Sequence, residues 1–291
     1  MRIGVHVPQW GPTADRAGVL SVALAAESAG LDAIWVADHI VIPTTSASRY
    51  PYRQDGVPFG VDDGFLEALT TLSVVAGATE RIGLGTSVLV MPMREPVLTG
   101  KAVATLDVLS GGRVTLAMGV GWWEEEFEAL GARFSARGRR FDEQLEILRA
   151  LWTDGKVAHS GEFYDFDELA CLPLPVQTGG PPIWIGGIGE PAWRRAALFG
   201  AGWHAVGADL GTLAAGRIAI DQIALDAGRN PSEIALSTST GAGRDTGRLL
   251  KRLGSLAQAG VDQVVLNLSD TSAEPMCEAV GRIGEMLPRL S

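Results

Sequence analysis

The residues best suited to chemistry follow short apolar runs. Asp38-His39 ends the run 33–37. A histidine exchanges protons near neutral pH, and an adjacent carboxylate suits acid or base work. The same spacing serves a hydrogen-bonded structural pair equally well. Thr86-Ser87, Gly119-Val120-Gly121-Trp122 and Gly186-Gly187-Ile188-Gly189 also sit at run ends. Small residues there let backbone N–H groups approach a flat or phosphorylated ligand closely. One such pair by itself serves a tight turn; the recurrence favours a cofactor. Trp10, Trp122 and Trp123 follow two of these runs, and Tyr50 and Tyr52 lie in the stretch 41–63 with Arg49 and Arg53. Aromatic residues so placed wall an apolar substrate pocket or bury a subunit interface.

Other chemistries find less support. Gly187-Ile188-Gly189-Glu190-Pro191-Ala192 matches G-x-G-x-x-A, with Asp209 twenty residues beyond Gly189. Its acidic helix start disfavours a pyrophosphate. What survives is a helix N-terminus able to take a phosphate, with Pro191 in the first turn. Arg194 and Arg195 add positive charge there if they face the ligand rather than solvent. Glu124-Glu125-Glu126 opens a helix, where acidic residues complement the dipole. His6 reads as packed inside a strand, His159 as part of a surface hairpin, and His204 as lying near a strand start, away from the ligand face. No H-x-H, H-E-x-x-H or G-x-S-x-G occurs, so no metal site is expected and acyl transfer is unsupported. Cys171 and Cys277 form no C-x-x-C and read as thiols in a reducing compartment.

Composition narrows the class. Lys plus Arg is 24 and Asp plus Glu 34, for a net charge of −10. That balance offers no general attraction for nucleic acid or anionic membrane. No apolar run reaches the ~20 residues of a membrane span. Residues 1–8 read as a strand without a signal peptide's apolar core or cleavage site, so the expectation is a cytoplasmic protein. Glycine is in excess, 37 of 291 residues against a typical ~7%.

Strands are expected at 3–8, 33–37, 82–90, 114–118, 183–185, 204–206, 234–240 and 263–268. Helical patterns lie between most of them, including 14–29, 65–79, 96–109, 124–130 and 139–152, with a polar hairpin at 156–166. Eight strands with intervening helices suit a (β/α)₈ TIM barrel with short insertions, and the length fits. An open doubly wound sheet shares the alternation. No linker divides the chain, so one domain over 1–291 is expected.

Several segments, taken in order, carry a family resemblance. They are 25–32 leading to Trp35-Val36-Ala37-Asp38-His39, Arg81-Ile82-Gly83-Leu84-Gly85-Thr86-Ser87-Val88, 106–113 leading to Gly119-Val120-Gly121-Trp122, and Pro181-Pro182-Ile183-Trp184-Ile185-Gly186-Gly187. Over about residues 2–206 the chain resembles the luciferase-like flavin and deazaflavin oxidoreductases, particularly the branch using coenzyme F420. The resemblance implies a TIM barrel holding the cofactor ring at its C-terminal mouth. It implies a non-proline cis peptide at Ser87-Val88, cofactor contacts at Asp38, Ser87, Val88, Val120, Gly121, Gly186 and Gly187, and His39 as catalytic acid or base. Trp10, Trp122 and Trp123 would then line the substrate side.

There are departures. Trp122 and Trp123 stand where the sugar-phosphate dehydrogenase branch has a glutamate. Ala201-Gly202-Trp203 replaces Asp-Gly-Trp, and the insertion at 241–246 is short, which leaves the pocket more open or leaves closure to 41–63. The implied function is F420-dependent hydride transfer to or from a small apolar organic molecule, in a homodimer. FMN-dependent monooxygenation and a non-catalytic flavin-binding protein are the alternatives.

Overall fold

The computed structural model describes residues 1–51, 56–57, 59–268 and 272–289. In chain order the elements are β1 (Arg2–His6), α1 (Arg16–Ser28), β2 (Ala33–Val36), α2 (Ala68–Ala76), β3 (Gly83–Val90), α3 (Pro96–Ser110) and β4 (Val114–Gly119). There follow α4 (Glu124–Ala129), α5 (Arg137–Asp154), β5 (Lys156–Ser160), β6 (Asp165–Ala170), β7 (Ile183–Gly186), α6 (Glu190–Leu198) and β8 (Gly202–Val206). The chain continues through α7 (Leu210–Asp226), β9 (Ala235–Gly241), α8 (Thr246–Gln258), β10 (Gln263–Asn267) and α9 (Ala273–Met286). Among the described residues the strands close in the order β1-β10-β9-β8-β7-β4-β3-β2, every pair parallel, while β5 and β6 form a separate antiparallel hairpin. This is the expected TIM barrel, closed rather than open.

The barrel fills its own interior by matching large rings to bare backbone. Trp35 lies over two glycines: a Cβ on Gly4 would meet its Nε1 at 2.4 Å, and one on Gly85 its Cε3 at 2.3 Å. Trp184 covers Gly202 in the same way, at 2.6 Å. The two indoles are 5.7 Å apart, and His204 stacks flat on Trp35 at 5.8 Å. These three glycines are therefore packing devices, since interiors leave little room for voids or overlap.

Helix starts follow local chemistry. Asp15, Asp209 and Asp245 each accept a hydrogen bond from an N–H in the first turn of α1, α7 and α8. Tertiary contacts override the pattern in one place. The helix expected from residue 65 begins at Ala68, because Phe65 pairs as an isolated bridge with Trp10 and Leu66 N–H donates to the Gln9 carbonyl at 2.9 Å. A second difference matters more for the site. The strand expected at 204–206 starts at Gly202, which places His204 in mid-strand on the inner face.

Candidate active site

A cavity of about 160 Å³ opens at the C-terminal ends of the strands, where (β/α)₈ enzymes bind their ligands. Its lining joins the ends of β2, β3, β4, β7 and β8, and Tyr50 reaches it from the long loop after β2. Another concavity, of about 400 Å³, lies at the opposite end of the barrel beside Arg2, Glu233 and Asp262. Its lining contains no histidine and no glycine.

The floor is built around Val88. The Ser87-Val88 peptide is cis, and the pairing of β3 with β4 skips Val88, between Ser87↔Ala117 and Leu89↔Met118. Two glycines make room for its branched side chain. A Cβ on Gly119 would meet Val88 Cγ2 at 2.9 Å, and one on Gly186 would meet Val88 Cγ1 at 2.6 Å. Gly121 and Gly187 are glycines for a backbone reason, with φ of +77° and +122°.

Beneath the floor, the His204 Nε2 is 2.8 Å from the Ser87 Oγ, and its Nδ1 is 2.9 Å from the Ser237 Oγ. The ring is fully buried. Burial, and then the nearby His6, push its pKa down to about 3, so it is neutral at pH 7. His6 is likewise pushed down to about 4 by burial, against a hydrogen bond with the Trp35 backbone.

One wall is an ion-pair network. Asp38 is buried; its Oδ2 accepts from Val90 N–H at 2.9 Å and Arg94 Nε at 3.1 Å, and its Oδ1 from Arg94 Nη2 at 2.6 Å. Arg94 Nη2 also donates to Glu67 Oε1 at 2.8 Å. Burial works against the Arg94 charge, but Asp38 and Glu67 outweigh it and raise its pKa. Burial likewise opposes the Glu67 charge, yet hydrogen bonds from Thr70 and the nearby Arg94 hold its carboxyl below the usual range. The network ties the end of β2 to the segment after β3.

His39 stands at the rim. Its Nδ1 is 2.8 Å from Glu126 Oε2, and Glu126 Oε1 accepts from Ile40 N–H at 2.7 Å. A carboxylate only accepts, so Nδ1 carries the hydrogen and Nε2 is the nitrogen left for a ligand. Phe59, Phe65 and Trp123 meet the imidazole edge-on at 5.2, 5.3 and 5.5 Å. Trp122 stacks on Trp123 at 4.8 Å and meets Tyr50 at 5.2 Å, so an aromatic face borders the cavity beside His39.

The family model of the luciferase-like monooxygenases matches residues 2–242. The chain belongs to this family. This luciferase-like protein is 37% identical over 191 residues to an uncharacterized protein of Mycobacterium tuberculosis, the match covering 65% of each chain, just under two thirds of that relative's length. It is 31% identical over 201 residues to the F420-dependent glucose-6-phosphate dehydrogenase of Amycolatopsis mediterranei, over 67% of this chain and 54% of the other. A solved F420-dependent secondary alcohol dehydrogenase, in complex with an F420-acetone adduct, has the same fold, with a TM-score of 0.82 at 19% identity over 100% of this chain and 99% of the other.

In the luciferase-like barrel, Asp38, Ser87, Val88, Val120, Gly121, Gly186 and Gly187 all line the one cavity, together with His39 and Trp122. Trp10 and Trp123 do not. Trp10 stacks on Phe65 at 5.7 Å, and Trp123 is buried with its Nε1 donating to Ser46 Oγ at 2.8 Å. Both pack against the rings beside His39 without lining the cavity. Three expectations need correction. His204 lies directly under Ser87 rather than away from the ligand face. Arg195 turns to Asp142 on α5, at 2.5 Å, and not to the glycine pair. The acidic start of α4 is more than a dipole complement: Glu126 holds His39, while Glu125 Oε1 accepts from Ala47 N–H at 2.5 Å and Ser48 N–H at 3.2 Å. Tyr52 and Arg53 lie outside the described residues. No group of three metal-ligating side chains gathers among the described residues, and none of their helices is long and apolar enough to cross a membrane.

Proposed function

We propose that this protein is an F420-dependent oxidoreductase that moves hydride between the deazaflavin and a small, apolar organic substrate. The observation that carries the reading is the convergence on one cavity of the seven residues expected to touch the cofactor, with His39 held at its edge. The F420 dependence of the Amycolatopsis relative supports it, and the F420-dependent secondary alcohol dehydrogenase shares the fold of this chain.

The residues present fit a flat ring. Val88 offers an apolar platform, Ser87 a hydroxyl, and Gly121 and Gly187 bare backbone that no side chain obstructs. When bound, F420 supplies a two-electron carrier. The chain's part is to bind, orient and manage protons. Ser87, Val88 and Asp38 would meet the ring, and Val120, Gly121, Gly186 and Gly187 the remainder of the cofactor. Glu126 holds the His39 imidazole with Nδ1 protonated, so Nε2 takes a proton from an alcohol or, once protonated, returns one to a carbonyl oxygen. Tyr50 and Trp122 exclude water and favour an apolar substrate. The family's homodimer and a cytoplasmic location belong to the same proposal.

Separate titrations of the apoprotein with F420 and FMN test it. Tight F420 binding is expected, followed by bleaching or recovery of its visible band with a panel of alcohols and ketones. Tight FMN binding with none for F420 would overturn the assignment in favour of the flavin-dependent reading. Bound F420 that neither gains nor loses hydride across the panel would favour a non-catalytic binding protein.

A further inference from the structure

Hydroxyl groups on the barrel strands differ in their partners. Thr86 Oγ1 donates to the Ala117 carbonyl at 2.9 Å and Thr238 Oγ1 to the Ala205 carbonyl at 2.6 Å, which satisfies each against backbone. Ser237 and Ser87 instead flank one imidazole, making a row from the closed core to the cavity: Ser237 Oγ, His204 Nδ1 and Nε2, Ser87 Oγ. The ring is enclosed on every side, with Trp35 stacked flat against it.

A neutral imidazole has one N–H and one lone pair. With the hydrogen on Nε2, the ring donates to Ser87, whose own hydrogen is then free to point into the cavity. With the hydrogen on Nδ1, the ring donates to Ser237, and Ser87 must spend its hydrogen on Nε2. It then shows the cavity only lone pairs. We infer that His204 is a positioning residue whose tautomer sets whether Ser87, in the cavity floor, offers a ligand a hydrogen-bond donor or an acceptor. Burial keeps the ring neutral, which leaves both tautomers available while excluding the doubly protonated form. The ligand this suits is a flat heteroaromatic ring with donors and acceptors along its edge. Its identity as a deazaflavin or flavin rests on the function proposed above; the row of side chains does not.

The test uses the full chain with 15N-labelled histidine, because ring nitrogen shifts report charge and tautomer directly. In the apoprotein at neutral pH the His204 ring is expected to be uncharged, and Ser87→Ala to change its tautomer ratio. A ratio unmoved by Ser87→Ala overturns the inference. Oxidised F420 and FMN are then added separately. A ring seated on Ser87 moves the same two nitrogen shifts. His204→Gln, whose amide carries both a donor and an acceptor, is expected to hold the wild-type Kd within about threefold, while His204→Leu weakens it about tenfold and displaces the visible band of the bound cofactor. Should His204→Leu fail to fold by circular dichroism, His204→Asn, a shorter amide, takes its place. Equal Kd and equal bands in wild type and the disabling variant also overturn the inference. If neither cofactor binds the wild type, the proposed function fails, and the response of apo His204 to Ser87→Ala still decides the coupling.

Discussion

His39 and His204 both stand at the cavity, one at its rim and one under its floor, and their partners set them apart. His39 is 12% exposed and is bonded to the Glu126 carboxylate. Glu126 in turn accepts the Ile40 N–H. A neighbour that accepts but never donates fixes the tautomer and stabilises a proton arriving at Nε2. His204 is fully buried between two hydroxyls, which serve either tautomer equally, and its burial makes protonation costly. In the proposed function the rim histidine exchanges a proton with the substrate, while the floor histidine stays neutral. One side chain serves two purposes because the folded chain supplies an acid to one and alcohols to the other.

The division breaks most sharply at the rim. His39→Ala is expected to lower turnover about 100-fold, the low end for losing a positioned acid or base, with cofactor Kd within a few-fold of wild type. Steady-state kinetics beside a cofactor titration check this, and unchanged turnover removes His39 from the mechanism. The next effect belongs to the floor and appears in stability. Burial holds the His204 pKa in the folded chain down at about 3, below the usual 6.5 of an imidazole. The unfolded chain therefore binds the proton first, and stability falls as pH drops below about 6.5. At about 1.4 kcal/mol per pH unit, His204 takes about 2 kcal/mol from stability between pH 8 and pH 5. Urea unfolding at the two pH values should show His204→Gln losing that much less than wild type. His6, pushed down to about 4, adds the same sign in both proteins and cancels from the difference. An equal loss in wild type and variant would show that His204 titrates normally.

How much of this contrast was visible in the sequence depends on how far each partner lies along the chain. Asp38-His39 at a strand end, the glycine pairs and the alternation of strands and helices are local features. So is the resemblance that placed Ser87-Val88, a peptide that is cis here. Glu126 was hidden because its position in the first turn of α4 already had a local explanation, and its true partner is 87 residues away. In the barrel order β3 separates β2 from β4, so Glu126 reaches His39 across the end of β3, which the strand alternation alone does not indicate. Arg94, 56 residues from Asp38, sits just past β3, the barrel neighbour of β2, and could have been sought there once closure was assumed. His204 looks like a strand start in the sequence, while β8 itself begins two residues earlier at Gly202. Gly119 and Gly186 mark a close approach in the sequence but not its agent, which in the structure is the Val88 side chain.

Smaller changes sharpen the contrast between the two histidines. Glu126→Gln keeps a side chain of the same length but replaces the obligate acceptor with an amide that can also donate. His39 then loses its fixed tautomer but keeps its ring, so kcat should fall about tenfold, less than the ~100-fold for losing the acid or base outright, while KM stays within about twofold. A parallel rise in KM with kcat unchanged would mean that Glu126 shapes the pocket rather than the histidine. The matching change at the floor is Ser237→Ala, which removes one of two equivalent hydroxyls. It should cost roughly 1 kcal/mol of stability, the usual net worth of one hydrogen bond, read as a lower urea midpoint at unchanged slope. With Ser237 gone, Ser87 becomes the ring's remaining hydroxyl partner, and turnover should change by less than about threefold. A loss on the scale of Glu126→Gln would place the floor histidine in the proton-transfer chemistry and erase the division between the two.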